Sequence, residues 1–172
     1  MTRILVTGGA GFIGSVLAEK LILNKDNYVV IVDDLSTGSE TKLPHHLPNV
    51  NWRFVKADVN EYREIAEIML GENFDFVFHY AALVGVQRTQ ENPVKVLNDI
   101  EGFKNILSLS KSVGVKRVFF SSSSEVYGEP VELPQNEQTT PLNSKVPYAV
   151  VKNIGEAFLR SYQQEFGLDY TI

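Results

Sequence analysis

Near the N-terminus, Gly8-Gly9-Ala10-Gly11-Phe12-Ile13-Gly14 has the composition of a loop that holds phosphate. Glycines at 8, 11 and 14 allow a sharp turn, close approach of backbone to a pyrophosphate at a helix N-terminus, and tight packing of helix on strand. A glycine triplet alone can be a plain turn. Here a β-branched strand precedes it, a helical pattern follows it, and a second apolar strand ends in an acid. That acid is Asp33, nineteen residues beyond Gly14. A carboxylate there accepts hydrogen bonds from adenosine ribose hydroxyls and repels a 2′-phosphate. No Lys or Arg follows before Lys42, so the expected cofactor is NAD and not NADP. Asp58, in Ala57-Asp58-Val59, is placed to meet the adenine amino group, although a capping role around Asn60 competes with that reading.

Tyr148-Ala149-Val150-Val151-Lys152 supplies a second kind of chemistry. Near the start of a helix, residues four apart share one face. A free tyrosine titrates near pH 10 and is a poor base at neutral pH. An ammonium one turn away and a cationic nicotinamide would favour the phenolate, which could then take a hydroxyl proton while hydride leaves to NAD. In isolation Tyr-x-x-x-Lys is a common helix-surface pattern. Behind a glycine loop it reads as a catalytic pair.

Alternating strands and helices must position these groups. Strand signals fall at Arg3–Thr7, Tyr28–Val32, Asn51–Lys56, Phe74–Tyr80, Val115–Phe120 and Asp169–Ile172. Helical spacing covers Phe12–Asn24, where Phe12, Ile13, Val16, Leu17 and Leu21 form the apolar set, and Glu61–Leu70. Pro93 opens a long helix to about Val113, and Pro147 opens another ending near Gly167. Asp34–Asn49 and Gly128–Val146 read as loops. Strands separated by helices imply parallel pairing with right-handed crossovers, hence a doubly wound α/β sheet with helices on both faces.

Composition agrees with one globular domain spanning residues 1–172: 44% hydrophobic, 22% charged. A net charge of −5 without basic clusters argues against nucleic acid or an anionic membrane surface. There is no cysteine, and the adjacent His45 and His46 read as loop residues, so no metal site is expected. No secretory signal or spanning segment is visible, and the expected setting is the cytoplasm.

The motifs together resemble an extended short-chain dehydrogenase/reductase of the nucleotide-sugar epimerase/dehydratase branch, with a Rossmann fold. The matching pieces are Thr7–Gly14, Asp33-Asp34-Leu35, Asp58-Val59, His79-Tyr80-Ala81-Ala82, Ser121–Gly128 and the Tyr148/Lys152 pair, in the family's order. The resemblance implies cofactor contacts from Gly8, Gly11, Phe12, Ile13, Gly14, Asp33, Asp34, Asp58, Val59, Tyr80, Ala81, Ala82 and Ser121, with Tyr148 and Lys152 serving both cofactor and chemistry. Ser123 would polarise the sugar oxygen, Tyr148 would be the acid/base, and Lys152 would also hold the nicotinamide ribose. The implied reaction is oxidation at C4 of a UDP-sugar to a 4-keto intermediate, then reduction from the other face.

Two departures matter. The family's Asn-Val-x-Gly segment reads Asp99-Ile100-Glu101-Gly102. Ser124-Glu125 stands where dehydratases typically have Asp-Glu, which argues against dehydration. It resembles UDP-glucuronate decarboxylases, where the glutamate takes part in chemistry. Glu125 is either such a group or a solvated residue. A 4-epimerase is the leading expectation, with the decarboxylase or a sugar-nucleotide dehydratase as alternatives and, from another class, a non-catalytic NAD-binding module or inactive fragment. By the same resemblance the long helices, with Val96, Ile100, Phe103 and Leu107 on one and Ile154, Phe158 and Tyr162 on the other, would pair into a homodimer. Family members usually run well past Ile172 into a substrate lobe, so the 172 residues are expected to be a truncated form that binds NAD with little turnover.

Overall fold

Val29 to Val32 are fully buried, as a strand covered on both faces requires. The computed structural model describes residues 1–48 and 50–172; Asn49, the end of the expected loop, lies outside them. Six parallel strands form one sheet: β1 (Thr2–Thr7), β2 (Asn27–Asp33), β3 (Trp52–Lys56), β4 (Phe76–His79), β5 (Arg117–Phe120) and β6 (Asp169–Thr171). Their order is β3-β2-β1-β4-β5-β6. The chain therefore winds outward from β1 to β3, then returns to the other side of β1 at β4. That reversal opens a crevice at the strands' carboxyl ends between β1 and β4.

Helices cover both faces: α1 (Phe12–Ile22), α2 (Tyr62–Gly71), α3 (Val86–Glu91), α4 (Pro93–Leu97), α5 (Asp99–Val113) and α6 (Pro147–Phe166). Short 3-10 turns stand at Glu40–Lys42 and Ser124–Tyr127. One core joins α2, α5 and α6 to the sheet through Leu5, Val77, Phe103, Leu107 and Leu159. The other packs α1 and Trp52 against Ile4, Val6, Val29 and Ile31.

Three expectations are corrected. The apolar set of α1 does not all face the sheet: Phe12, Ile13 and Val16 are exposed, while Gly14, Ser15, Ala18 and Ile22 are buried. Small residues let this helix approach the strands closely, so the bulky ones are turned outward. The expected helix from Pro93 to Val113 is interrupted at Asn98. There the Asn98 amide bonds to Lys95 and the Glu101 amide to Asn98, each three residues back, tightening the turn. Finally, α3 forms where no helix is expected, because Gln87 to Glu91 carries no apolar periodicity.

His79 ends β4 with 3% of its surface exposed. Its Nδ1 pairs with the Thr7 hydroxyl at 2.9 Å, and Phe103 and Phe120 flank the ring. Burial, helped by the Lys152 charge, holds its pKa down at about 3. The unfolded chain binds this proton near pH 6.5 and the folded chain does not. Stability is therefore full above pH 6.5 and falls as the pH drops toward 3, by on the order of 4–5 kcal/mol from this group. Urea unfolding at stepped pH should show that loss, and His79→Gln should flatten it. An unchanged acid limb in the variant would contradict the assignment.

Candidate active site

The glycine loop is shaped by steric need. Gly8 has φ +67°, and a Cβ there would stand 2.6 Å from the Ala81 amide nitrogen across the β1–β4 crevice. The Gly11 amide bonds the Gly8 carbonyl at 3.1 Å, and α1 starts with the Ser15 amide on Gly11 at 3.2 Å. A Cβ on Gly14 would run into the Gly8 carbonyl oxygen. Backbone is thus brought to the helix N-terminus with no side chain in the way, which leaves room for a pyrophosphate.

The cleft above this loop has a volume of about 610 Å³. It is lined by Gly8, Gly11, Phe12, Ile13, Gly14, Asp33, Asp34, Asp58, Val59, Tyr80, Ala81, Ala82, Ser121, Tyr148 and Lys152, so these expected residues share one site. Asp33 receives the Ala10 and Leu35 amides, both at 2.9 Å. Asp34 is exposed and accepts from the Ser36 amide and hydroxyl. Asp58 accepts from the Asn60 amide at 2.9 Å while its own amide donates to Glu64, so it shapes the entry to α2 as well as facing the cleft. A cleft whose loop presents no Cβ at positions 8, 11 and 14, with a fixed carboxylate at one end and a cationic side chain at the other, fits NAD. The fixed charge of Asp33 opposes a 2′-phosphate, so NAD should bind at least about tenfold tighter than NADP. Calorimetric titration giving equal affinities would overturn this.

Tyr148 and Lys152 stand on the first turns of α6. The Lys152 side chain is 3% exposed, donates to the Ser121 carbonyl at 2.9 Å and lies 4.8 Å from the Phe120 ring centre. Burial lowers its pKa to about 8, against the opposing pull of Asp99. At Tyr148 the chain's own groups favour the neutral phenol. Burial raises its pKa above the ordinary value; a hydrogen bond with Ser123 pulls it down, and Glu125 and Asp99 push it further up. The lysine ammonium is engaged by the Ser121 carbonyl and lies 5.6 Å from the tyrosine ring centre. Without further positive charge the phenol stays protonated.

Ser123 and Glu125 are not among the residues that line the cleft. Ser123 is partly buried and accepts the Glu125 amide at 3.2 Å. Glu125 is exposed and acts on Tyr148 through its charge.

Two residues in the site carry no assignment from sequence. Asp99 accepts the Leu83 amide at 2.7 Å and lines the cleft, and burial raises its pKa although Leu83, Asn60 and Lys152 favour the charged form. Its departure from the family's Asn was the available signal. Glu156 is buried one turn beyond Lys152, accepts the Ser122 hydroxyl at 2.7 Å and pairs with Arg160 at 2.9 Å. Only its spacing from Lys152 could have marked it.

Residues 4–172 match the NAD dependent epimerase/dehydratase family. A Methanocaldococcus jannaschii protein provisionally assigned as a UDP-glucose 4-epimerase is 38% identical over 172 residues, covering 98% of this chain and 53% of that protein. UDP-glucuronic acid decarboxylase 6 of Arabidopsis thaliana is 34% identical, covering 99% of this chain and 49% of its own length. The crystal structure of Thermotoga maritima UDP-glucose 4-epimerase with UDP-glucose aligns with a TM-score of 0.89 at 34% identity, over 98% of this chain and 53% of that one. The chain spans about half the length of the curated relatives it matches. With the match running through all six strands, and with glycine loop, acid and Tyr-Lys pair in one cleft, the chain belongs to the NAD-dependent epimerase/dehydratase family and its cofactor is NAD.

Proposed function

We propose that residues 1–172 form the dinucleotide-binding unit of a nucleotide-sugar 4-epimerase that works on a UDP-sugar through a 4-keto intermediate. The observation that carries this is the placement of Tyr148 and Lys152 in the cleft that Asp33 closes. In the order β2-β1-β4-β5, Asp33 and Ser121 lie three strands apart, about 14 Å at ~4.8 Å per strand. The adenosine ribose and the reacting sugar are thereby assigned to opposite sides of the switch.

Bound NAD supplies the hydride acceptor and donor. Tyr148 exchanges a proton with the sugar C4 hydroxyl, Ser123 holds the tyrosine oxygen by hydrogen bond, and Lys152 keeps a positive charge beside them below about pH 8. In the oxidative half the phenolate, favoured by Lys152 and by the charge of the bound nicotinamide, would take the C4 hydroxyl proton, and the phenol so formed would return it to the ketone in the reductive half. Incubation of this unit within a chain of its relatives' full length with UDP-glucose, UDP-galactose and their N-acetyl forms, followed by NMR of the C4 configuration, tests the reading. Retention of configuration with every substrate would overturn it.

A second reading, UDP-glucuronate decarboxylation, is supported by Ser124-Glu125 and by the likeness to the Arabidopsis enzyme. Release of carbon dioxide from UDP-glucuronate would identify it.

The same reading includes a homodimer through α5 and α6, with a corrected contact surface. Val96, Phe103 and Leu107 are buried in the chain's own core because they face the sheet and α6. Ile100, Ile154, Phe158 and Tyr162 are only partly covered and remain for a partner. Light scattering at micromolar concentration should give twice the monomer mass, and a clean monomer would remove the dimer.

A further inference from the structure

Asp33 closes β2 with 7% of its surface exposed. A buried carboxylate has to be compensated by donors. Each of its oxygens meets one backbone amide, Oδ2 that of Ala10 in the glycine loop and Oδ1 that of Leu35. The following turn folds back over the group. Leu35 takes φ +64°, the one non-glycine residue with positive φ among the described residues. Ser39 then ties the turn to the glycine loop by donating its amide to the Ala10 carbonyl at 3.0 Å.

This fold-back presses Gly38 against the carboxyl group. A Cβ on Gly38 would stand 2.6 Å from Asp33 Oδ1, 2.9 Å from Cγ and 3.0 Å from Oδ2. Gly38 is not among the glycines with positive φ. Its backbone is one that any residue adopts, so the requirement for glycine is one of space. The space is that of the Asp33 carboxylate.

We propose that Gly38 is a positioning residue for cofactor recognition: by presenting no Cβ, it lets the Asp33 carboxylate stay on the Ala10 and Leu35 amides, with its remaining lone pairs free for the adenosine ribose. A carboxylate has about four acceptor sites, and the two amides use two of them. A methyl group at position 38 forces the carboxylate off at least one amide. That displaces it from the ribose and leaves a buried N–H without an acceptor. The inference rests on the reading of Asp33 as the ribose acceptor.

A double-mutant cycle on the purified chain tests it, with calorimetric NAD affinity and melting temperature as readouts. Asp33→Ala should weaken NAD binding at least about tenfold. Gly38→Ala should give a loss of similar size. In the Asp33→Ala background, Gly38→Ala should change affinity by less than about twofold, since the colliding atoms are gone. An NAD analogue lacking the adenosine 2′-hydroxyl should lose little further affinity on Gly38→Ala, a result that general damage to the loop would not produce. Should Gly38→Ala fold too poorly to titrate, the melting temperature carries the same logic: Asp33→Ala should restore part of the loss. Equal losses from Gly38→Ala with and without Asp33, or none at all, would overturn the proposal. If Asp33→Ala itself leaves NAD binding unchanged, the ribose reading of Asp33 falls first, and the role of Gly38 with it.

Discussion

Tyr148→Phe is expected to lower the turnover number of the active protein by roughly 10³-fold while leaving NAD affinity within about threefold. The substitution removes one oxygen and keeps the ring that lies beside Lys152. Lys152 stays on the Ser121 carbonyl, so the cleft is not rebuilt. What disappears is the phenol oxygen, whose pKa the neighbouring Ser123 hydroxyl lowers. Proton transfer to and from the sugar then falls to water. Stopped-flow or coupled assays of the variant beside the parent measure the ratio. A variant with turnover within about tenfold of the parent would remove Tyr148 from the acid/base role.

Gly14→Ala is expected to destabilise the fold by about 3 kcal/mol or more and to abolish measurable NAD binding. The added methyl meets the Gly8 carbonyl oxygen, with Gly8 carbonyl carbon 2.9 Å and Gly9 Cα 3.0 Å away. All three are backbone atoms of the phosphate loop. They cannot yield as a flexible side chain would, so the loop and the start of α1 must separate. Gly71, where an added methyl would find nothing within 4 Å, is the control: Gly71→Ala should be neutral or slightly stabilising. Urea unfolding and calorimetry on the two variants decide the matter. Parent-like NAD affinity in Gly14→Ala would show that this glycine is dispensable.

Much of the frame was legible in the chain. Continuous apolar runs such as Tyr28–Val32 read as strands covered on both faces, because parallel strands between helix layers have no wet side. The glycine loop and Asp33 were legible because the turn, the close approach and the strand end each demand a particular residue type at a local position. Tyr148 and Lys152 were legible as a pair because four residues make about one helical turn. Less was legible where two principles competed. Phe12, Ile13 and Val16 have helical spacing, yet α1 turns them outward so that Gly14 and Ala18 can lie on the sheet.

Local spacing thus determined the strand–helix alternation, the phosphate loop, the acid at the end of β2 and the face shared by tyrosine and lysine. The tertiary structure alone decided how these groups act. It set the strand order that opens the crevice, and it brought Thr7 to His79 and Ser121 to Lys152, 72 and 31 residues apart. It also decided that the chain's own groups, burial first, favour the neutral phenol of Tyr148, which leaves the phenolate to the charge a bound nicotinamide would bring. Gly38 carries no local requirement for glycine at all, and its need appears only when the turn folds onto Asp33. Desolvation and steric space belong to whatever surrounds an atom in three dimensions, and most of those neighbours are distant along the chain.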